Sequence, residues 1–254
     1  MKIRILGTGD AFGIPAIGCS CEICSAARKG IEPKRLRSSI AVYDEDYFIL
    51  VDASPDVQVQ LQDIAEFPDA VLLTHVHRDH VAGLPDIAKE YLKNRIPVYG
   101  NEFTIDYVRK WISGLLLTSE PGFHKYLDWK IVNGPFGIGD IRIKPVELKH
   151  YVPTIGYIIE GSSTFAYLTD TGPEAEVFTD GNLDDVEVIF LDCSWAKSRG
   201  FFHMSIKDIK NLPKKLHGKI ICIHIGHENL PYHDLKKELQ DVAHVPLDNQ
   251  IINF

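Results

Sequence analysis

Short apolar runs alternate with polar turns along the chain, and most runs have the length of a strand. Residues 2–6 alternate, which turns Ile3 and Ile5 to one face of a strand. Residues 39–43 and 47–51 meet across the acidic turn Asp44-Glu45-Asp46, which predicts a hairpin. Val71-Leu72-Leu73 suits a strand buried on both faces. Further strands are expected at 97–99, 127–132, from Ile141 through Val146, at 154–160, 163–168, 186–191, 219–225 and 248–254. Helical spacing is rarer. It predicts a short helix over 55–63 starting near Ser54 or Pro55, a helix start at 81–84, and a helix after Ser205, a good N-cap. Residues 103–117 read as an amphipathic helix with Val108, Trp111, Ile112 and Leu115 on one face. Its end, Leu115-Leu116-Leu117, suits core, lid or dimer surface, and core is the expectation.

The ends of the apolar runs carry the chemistry. After Leu73 the chain delivers His75, His77, Asp79 and His80 within six positions. Imidazole and carboxylate are the usual ligands of zinc and its neighbours, and packing needs none of them there. If the strand continues, His75 and His77 point to one side and share a metal, while Asp79 and His80 face a second. His150 ends another apolar strand. Asp170 ends the next, before the small-residue turn Thr171-Gly172, where a carboxylate can bridge two metals. His224 and His227 follow the strand at 219–225. One of them can complete the metal pair and the other a second site, at Cys19, Cys21 and Cys24. Three thiols in six residues can wrap one zinc, with the fourth ligand from elsewhere. Asp52 stands where a partner holding a metal-bound histidine in its tautomer could stand, or a capping aspartate. A weak internal echo links Asp52 to His75 and Asp170 to Asp192, at separations of 23 and 22 residues (52 to 75, 170 to 192). Two such αβ halves, face to face, give a four-layer sandwich with ligands at the strand ends.

At 254 residues the chain suits one α/β domain spanning 1–254, with a cysteine-rich insert at about 15–38. The 45% hydrophobic and 24% charged content is ordinary for a soluble protein. A net charge of -8 argues against non-specific nucleic-acid binding. The basic residues at 28–37 are expected to form a solvated loop. No apolar run approaches the ~18 residues of a membrane span, and the start has no signal-peptide run. Crowded cysteines point to metal in a reducing compartment, with cytoplasm the default.

The run Thr74-His-Val-His-Arg-Asp-His80, with His150, Asp170 and His224 in that order, resembles the metallo-β-lactamase superfamily. The resemblance implies an αββα sandwich holding two catalytic divalent metals, zinc or manganese. One would take His75, His77 and His150, the other Asp79, His80 and His224, with Asp170 bridging. Asp170 speaks against a true two-zinc β-lactamase, where a cysteine is common at that place. A narrower resemblance is to the cyclic phosphodiesterase family of the carbon–phosphorus lyase pathway. It rests on Gly7-Thr8-Gly9, on the Cys19-x-Cys21-x-x-Cys24 insert and on His227. It implies a structural zinc on Cys19, Cys21, Cys24 and His227, with His203 in the catalytic loop.

The expected activity is hydrolysis of a small phosphodiester, a cyclic ribosyl or nucleotide phosphate, by a hydroxide shared between the two cations. His203, at an ordinary pKa of about 6.5 and outside both metal sets, is expected to protonate the leaving oxygen, and Asp79 to share in catalysis. The alternatives are a transfer-RNA-processing endonuclease, a thioesterase or glyoxalase-like hydrolase, and a non-enzymatic zinc module. The endonuclease would be expected to carry a long basic arm, which this chain lacks. A homodimer is expected as a possible assembly, and no membrane partner.

Overall fold

The strands at the two ends of the chain close into two sheets that mirror one another. A computed structural model describes residues 1–88, 95–115, 126–213 and 216–254, side chains 114 and 115 excepted. The first sheet takes β1 (Lys2–Gly7), β2 (Ser39–Asp44), β3 (Tyr47–Val51), β4 (Ala70–Leu72), β5 (Ile96–Gly100) and β6 (Leu127–Ile131). The second takes β7 (Phe136–Ile138), β8 (Ile141–Leu148), β9 (Thr154–Glu160), β10 (Thr164–Leu168), β11 (Val188–Asp192), β12 (Lys219–Ile223) and β13 (Ala243–His244). The last strand, β14 (Ile251–Asn253), returns to pair with β1 at the edge of the first sheet. In each sheet an antiparallel part adjoins a parallel one: β3 to β6 in the first, β10 to β13 in the second. Parallel strands covered on both faces need continuous apolar sequence, which explains Phe48-Ile-Leu-Val51 and Val188-Ile-Phe-Leu191.

Period-two alternation decides which layer each residue joins. Ile3, Ile5, Ile49, Val51, Phe165, Tyr167, Phe190, Ile221 and Ile223 meet between the sheets. Leu50, Val71 and Leu73 face the other way, onto Val108 and Ile112 of α5 (Glu102–Leu115). Ala166, Leu168 and Leu191 face α6 (Ile206–Lys210) and α7 (Tyr232–Leu239), through Ile206, Ile209, Leu235 and Leu239. Helix, sheet, sheet and helix make the four-layer αββα sandwich that the sequence implies. We number the shorter helices α1 (Glu22–Arg28), α2 (Val57–Gln60), α3 (Arg78–Val81) and α4 (Leu84–Ile87).

Several local expectations fail. β4 stops at Leu72, so His75 and His77 sit on a loop rather than a strand. A helix does begin within 81–84, at Leu84, but a separate turn of helix over Arg78–Val81 precedes it, and Asp79 and His80 lie within that one rather than on a bend. The helix over 55–63 shrinks to Val57–Gln60, with Asp56 at its N-cap. Ser54 still serves the helix start, its hydroxyl oxygen accepting from the Asp56 amide at 3.0 Å while the hydroxyl donates to Gln60 Oε1 at 2.9 Å. The leucine cluster at 115–117 lies outside the described side chains. The basic stretch is solvated only in part: Arg28, Lys29 and Lys34 are exposed, Arg37 is half-buried and Arg35 is buried. Arg35 is 4% exposed and donates to Thr8 Oγ1 at 2.6 Å and to the Pro246 carbonyl at 3.0 Å. Arg28 holds the carbonyls of Cys19 and Ala16, and Arg37 pairs with Asp56. These guanidiniums fasten the cysteine segment to the sheet ends, because carbonyls without a regular partner strand need donors from side chains. Among the described residues no helix is long and apolar enough to cross a membrane.

Candidate metal centre

The parallel strands deliver their C-terminal ends to one place. Asp52 follows β3, His75 follows β4, Asp170 follows β10, Asp192 ends β11 and His224 follows β12. Asp52, Asp170 and His224 hold left-handed backbones, with φ of 61°, 54° and 55°. That conformation turns the chain sharply off the strand and aims the side chain inward.

Two sets of side chains face one shared carboxylate. In the first set His77 Nδ1 lies 3.0 Å from His75 Nε2 and 3.2 Å from His150 Nε2. Asp170 Oδ1 is 3.6 Å from His150 Nε2 and 4.0 Å from His75 Nε2. In the second set His80 Nε2 is 2.9 Å from Asp79 Oδ2, and His224 Nε2 is 3.6 Å from it. Asp170 Oδ2 is 3.1 Å from His80 Nε2 and 3.3 Å from His224 Nε2. Each oxygen of Asp170 thus serves one set. The Nε2 atoms of His80 and His224 are buried and make no aligned hydrogen bond. Three converging imidazole nitrogens also cannot satisfy one another, since one proton serves only one pair. Orphaned nitrogens beside carboxylates fit divalent cations, so the donor set passes the test of chemistry as well as of position.

The opposite nitrogens of His75, His80, His150 and His224 are held. His80 Nδ1 is 2.7 Å from Asp52 Oδ2, and His75 Nδ1 is 3.0 Å from Thr74 Oγ1, whose hydroxyl donates to the same aspartate at 3.0 Å. On the other sheet His203 Nδ1 is 2.7 Å from Asp192 Oδ2. His224 Nδ1 is 3.0 Å from Ser194 Oγ, whose hydroxyl donates to Asp192 Oδ1 at 2.8 Å. Asp52 with Thr74 and Asp192 with Ser194 are therefore the same device built twice. Each aspartate holds one histidine directly and a second through a hydroxyl. Asp52 takes the tautomer-holding position rather than a cap. Asp192 and Ser194 were not among the expected site residues; the internal echo, which placed Asp192 opposite the metal stretch, was the signal that could have found them. His150 Nδ1 lies 3.2 Å from the Phe202 carbonyl.

Burial and charge divide the imidazoles. Burial pushes His75 well below its ordinary value, lowers His77 and brings His150 to about 4, so all three carry free lone pairs. Burial opposes charge on His80 and His224 too, but carboxylates override it. Asp79 with Asp52 holds His80 well above the ordinary range, and Asp170 with Asp79 lifts His224 to about 10. Asp79 and Asp170 stay ionised: burial would raise them, and the histidines bring both well below the usual carboxylate range. The second set therefore holds protons where a cation would sit, and cation entry would displace them. His203 departs from expectation. Burial lowers it, Asp192 more than compensates, and its pKa lies above the ordinary 6.5. It lies close to the ligands: Asp170, Asp192, His203 and His224 offer atoms within 4.8 Å of one another.

A second cluster lies apart from the first. Cys19, Cys21, Cys24 and His227 offer atoms within 4.8 Å of one another, with His227 Nδ1 3.4 Å from Cys19 Sγ and 3.6 Å from Cys21 Sγ. Cys21 caps α1, its sulfur accepting from the Cys24 amide at 3.4 Å. The Cys21 amide lowers the Cys19 thiol, whereas burial pushes Cys24 up to about 11. His224 and His227 are three residues apart, so one turn after β12 reaches both clusters.

A model of the beta-lactamase superfamily domain matches residues 47–225. The chain belongs to the beta-lactamase superfamily. The matched span holds every residue of the two sets around Asp170 and leaves out the three cysteines and His227. Among solved structures of this superfamily fold, a diphosphatase of the PhnP family superposes with a TM-score of 0.85 at 25% identity. It covers 100% of this chain and 97% of its own. The octanoyltransferase of Porphyromonas gingivalis is 33% identical over 176 residues, 67% of this chain and 35% of that protein. This chain spans about a third of the length of that relative and of the coenzyme PQQ synthesis proteins it also matches. The anti-Pycsar protein Apyc1 of Paenibacillus harenae is 27% identical over 89% of this chain and 90% of that one.

Proposed function

We propose that this superfamily hydrolase is a metal-dependent phosphodiesterase acting on a small phosphodiester, a cyclic ribosyl or nucleotide phosphate. The observation that carries the reading is Asp170, whose two oxygens each face one complete ligand set. His75, His77 and His150 would hold one divalent cation, and Asp79, His80 and His224 the other, zinc or manganese. Cys19, Cys21, Cys24 and His227 would hold a structural zinc. When bound, the cation pair makes a shared water nucleophilic at neutral pH and neutralises phosphoryl oxygens.

The protein's own groups do the rest. Asp79, the carboxylate not shared between the sets, orients the attacking water. Asp52 and Ser194 fix the ring orientations of His80 and His224. His203, 14% exposed at its side chain, keeps a proton on account of Asp192 and gives it to the leaving oxygen. The phosphorus chemistry in the PhnP-family diphosphatase's name accords with this reading, as does a negatively charged chain with no long basic arm. The whole chain acts as one hydrolase unit with a cysteine insert, in the cytoplasm.

The octanoyltransferase match favours a second reading, hydrolysis of an acyl thioester at the same centre. One panel separates them. The metal-loaded protein is assayed on bis-p-nitrophenyl phosphate, a 2′,3′-cyclic nucleotide, a ribosyl cyclic phosphate, a transfer-RNA precursor and octanoyl thioester. The phosphodiesterase reading expects the cyclic phosphates to have the highest kcat/KM. A preference for the thioester or the RNA would replace it.

A further inference from the structure

Residues 200–203 form a strap that presses on the turn after Asp170. A Cβ on Gly172 would stand 1.6 Å from the Phe201 carbonyl oxygen, 2.4 Å from its carbon and 3.1 Å from the Phe202 nitrogen. These are backbone atoms, so no rotamer change relieves the clash. Contacts below 3.0 Å are not tolerated, and any side chain at 172 would drive the strap outward by more than about 1 Å. The notch is itself anchored, since the Gly172 amide donates to the Lys149 carbonyl at 2.9 Å, next to His150. From the other side the Phe202 ring rests on Tyr151 at 4.1 Å between centroids.

What the strap carries gives the notch its meaning. The Phe202 carbonyl lies 3.2 Å from His150 Nδ1 and so leaves His150 Nε2 facing Asp170. The next residue is His203, whose ring lies 4.9 Å from that of His150 between centroids. We infer that Gly172 is a positioning residue: its missing side chain seats the strap and thereby places the proton donor His203 beside the His150 ring. The kinetic part of this inference rests on the phosphodiesterase reading above; the seating does not.

Gly172→Ala tests both. In the metal-free protein, hydrogen exchange should speed up at least tenfold at the buried Met204 amide, which donates to Asp192 Oδ1 at 3.3 Å at the end of the strap, with β10 to β12 unchanged. In metal-loaded protein of wild-type metal content, kcat/KM should fall ~100-fold on an alkyl diester, as for an ångström of misplacement, and by far less on a p-nitrophenyl diester, which needs no acid. A general loss of packing would lower both rates together. Unchanged strap exchange, or equal losses on the two diesters, would overturn the inference. If wild-type protein cleaves neither diester, the phosphodiesterase reading fails and the exchange result alone decides the seating. Should Gly172→Ala not fold, Phe202→Ala frees the strap from its other face, and the same two readouts apply with smaller shifts and the same outcomes.

Discussion

At His203, burial and charge pull in opposite directions, and Asp192 at 2.7 Å wins. A general acid must be protonated to act, so a raised pKa extends activity upward in pH, and rate falls as pH rises through that raised value. His203→Ala should cost ~100-fold or more on an alkyl or ribosyl diester and little on a p-nitrophenyl diester, read as the ratio of the two kcat/KM losses. Asp192→Asn should keep the fold and move the alkaline limb of the alkyl-diester profile to lower pH, because only Asp170 then opposes burial. Asp170→Ala should leave the circular dichroism spectrum intact and lower activity more than ~100-fold, above the usual loss from an outer partner, with loosened metal. The protons on His80 and His224 make a further expectation. Since cation entry displaces them, loading the second set should release protons and tighten as pH rises. Calorimetric titration in two buffers of different ionisation enthalpy reads the number directly.

Among the elements, α1 and the β2–β3 hairpin offer separable tests. Cys21 both caps α1 and belongs to the cysteine cluster. Serine is a good N-cap, so Cys21→Ser keeps the cap and removes a metal ligand. It should lower Tm by several degrees in the zinc-loaded protein and leave the turnover of the folded fraction near normal; loss of turnover in a fully folded protein would contradict this. Asp44 pins the hairpin to the turn between β9 and β10, accepting from the Ser162 amide at 2.8 Å and from its hydroxyl. Burial would raise the Asp44 carboxyl, but the Ser162 bonds bring it below the usual value. A depressed folded pKa stabilises above the unfolded value near 3.9 and is lost as pH falls through the folded one. Acid unfolding curves should therefore show Asp44→Asn less stable than wild type at pH 6, with the gap closing below about pH 4. The strands themselves were legible because doubly covered sheets demand apolar runs. Helix bounds near the centre were not. Ligand geometry, rather than periodicity, sets where α3 begins and where β4 stops, and neither has a repeating signature.

For the molecule as a whole, the two ligand clusters predict three metals per chain by elemental analysis, one of them resistant to mild chelation. Finding no more than two, with cysteines alkylatable in the native protein, would remove the thiolate site. The ligand residues could be read from spacing and resemblance because His75 through His80 have no packing purpose. Arg35 could not: a basic residue in a polar stretch reads as solvated until Thr8 and Pro246, 27 and 211 positions away, fold around it. Asp192 was hidden for another reason: Ser194 and His203 meet it locally, but the bond that ties the group to the ligands, from Ser194 to His224, forms only once β11 and β12 lie side by side. The left-handed backbones at Asp52, Asp170 and His224 also bear on redesign. Aspartate, asparagine, histidine and glycine tolerate that conformation best and branched residues strain in it, while a glutamate takes it up in the exposed turn at Glu45, φ 51°. A mutagenesis library at these positions therefore has an alphabet of about four letters. Within it the charge of the pocket can be dialled, Asp170→Asn removing one negative charge on an unchanged backbone. Glutamate at 170 keeps the charge yet should be rare among active clones, because its extra methylene carries the carboxylate away from the point where its two oxygens face the two ligand sets.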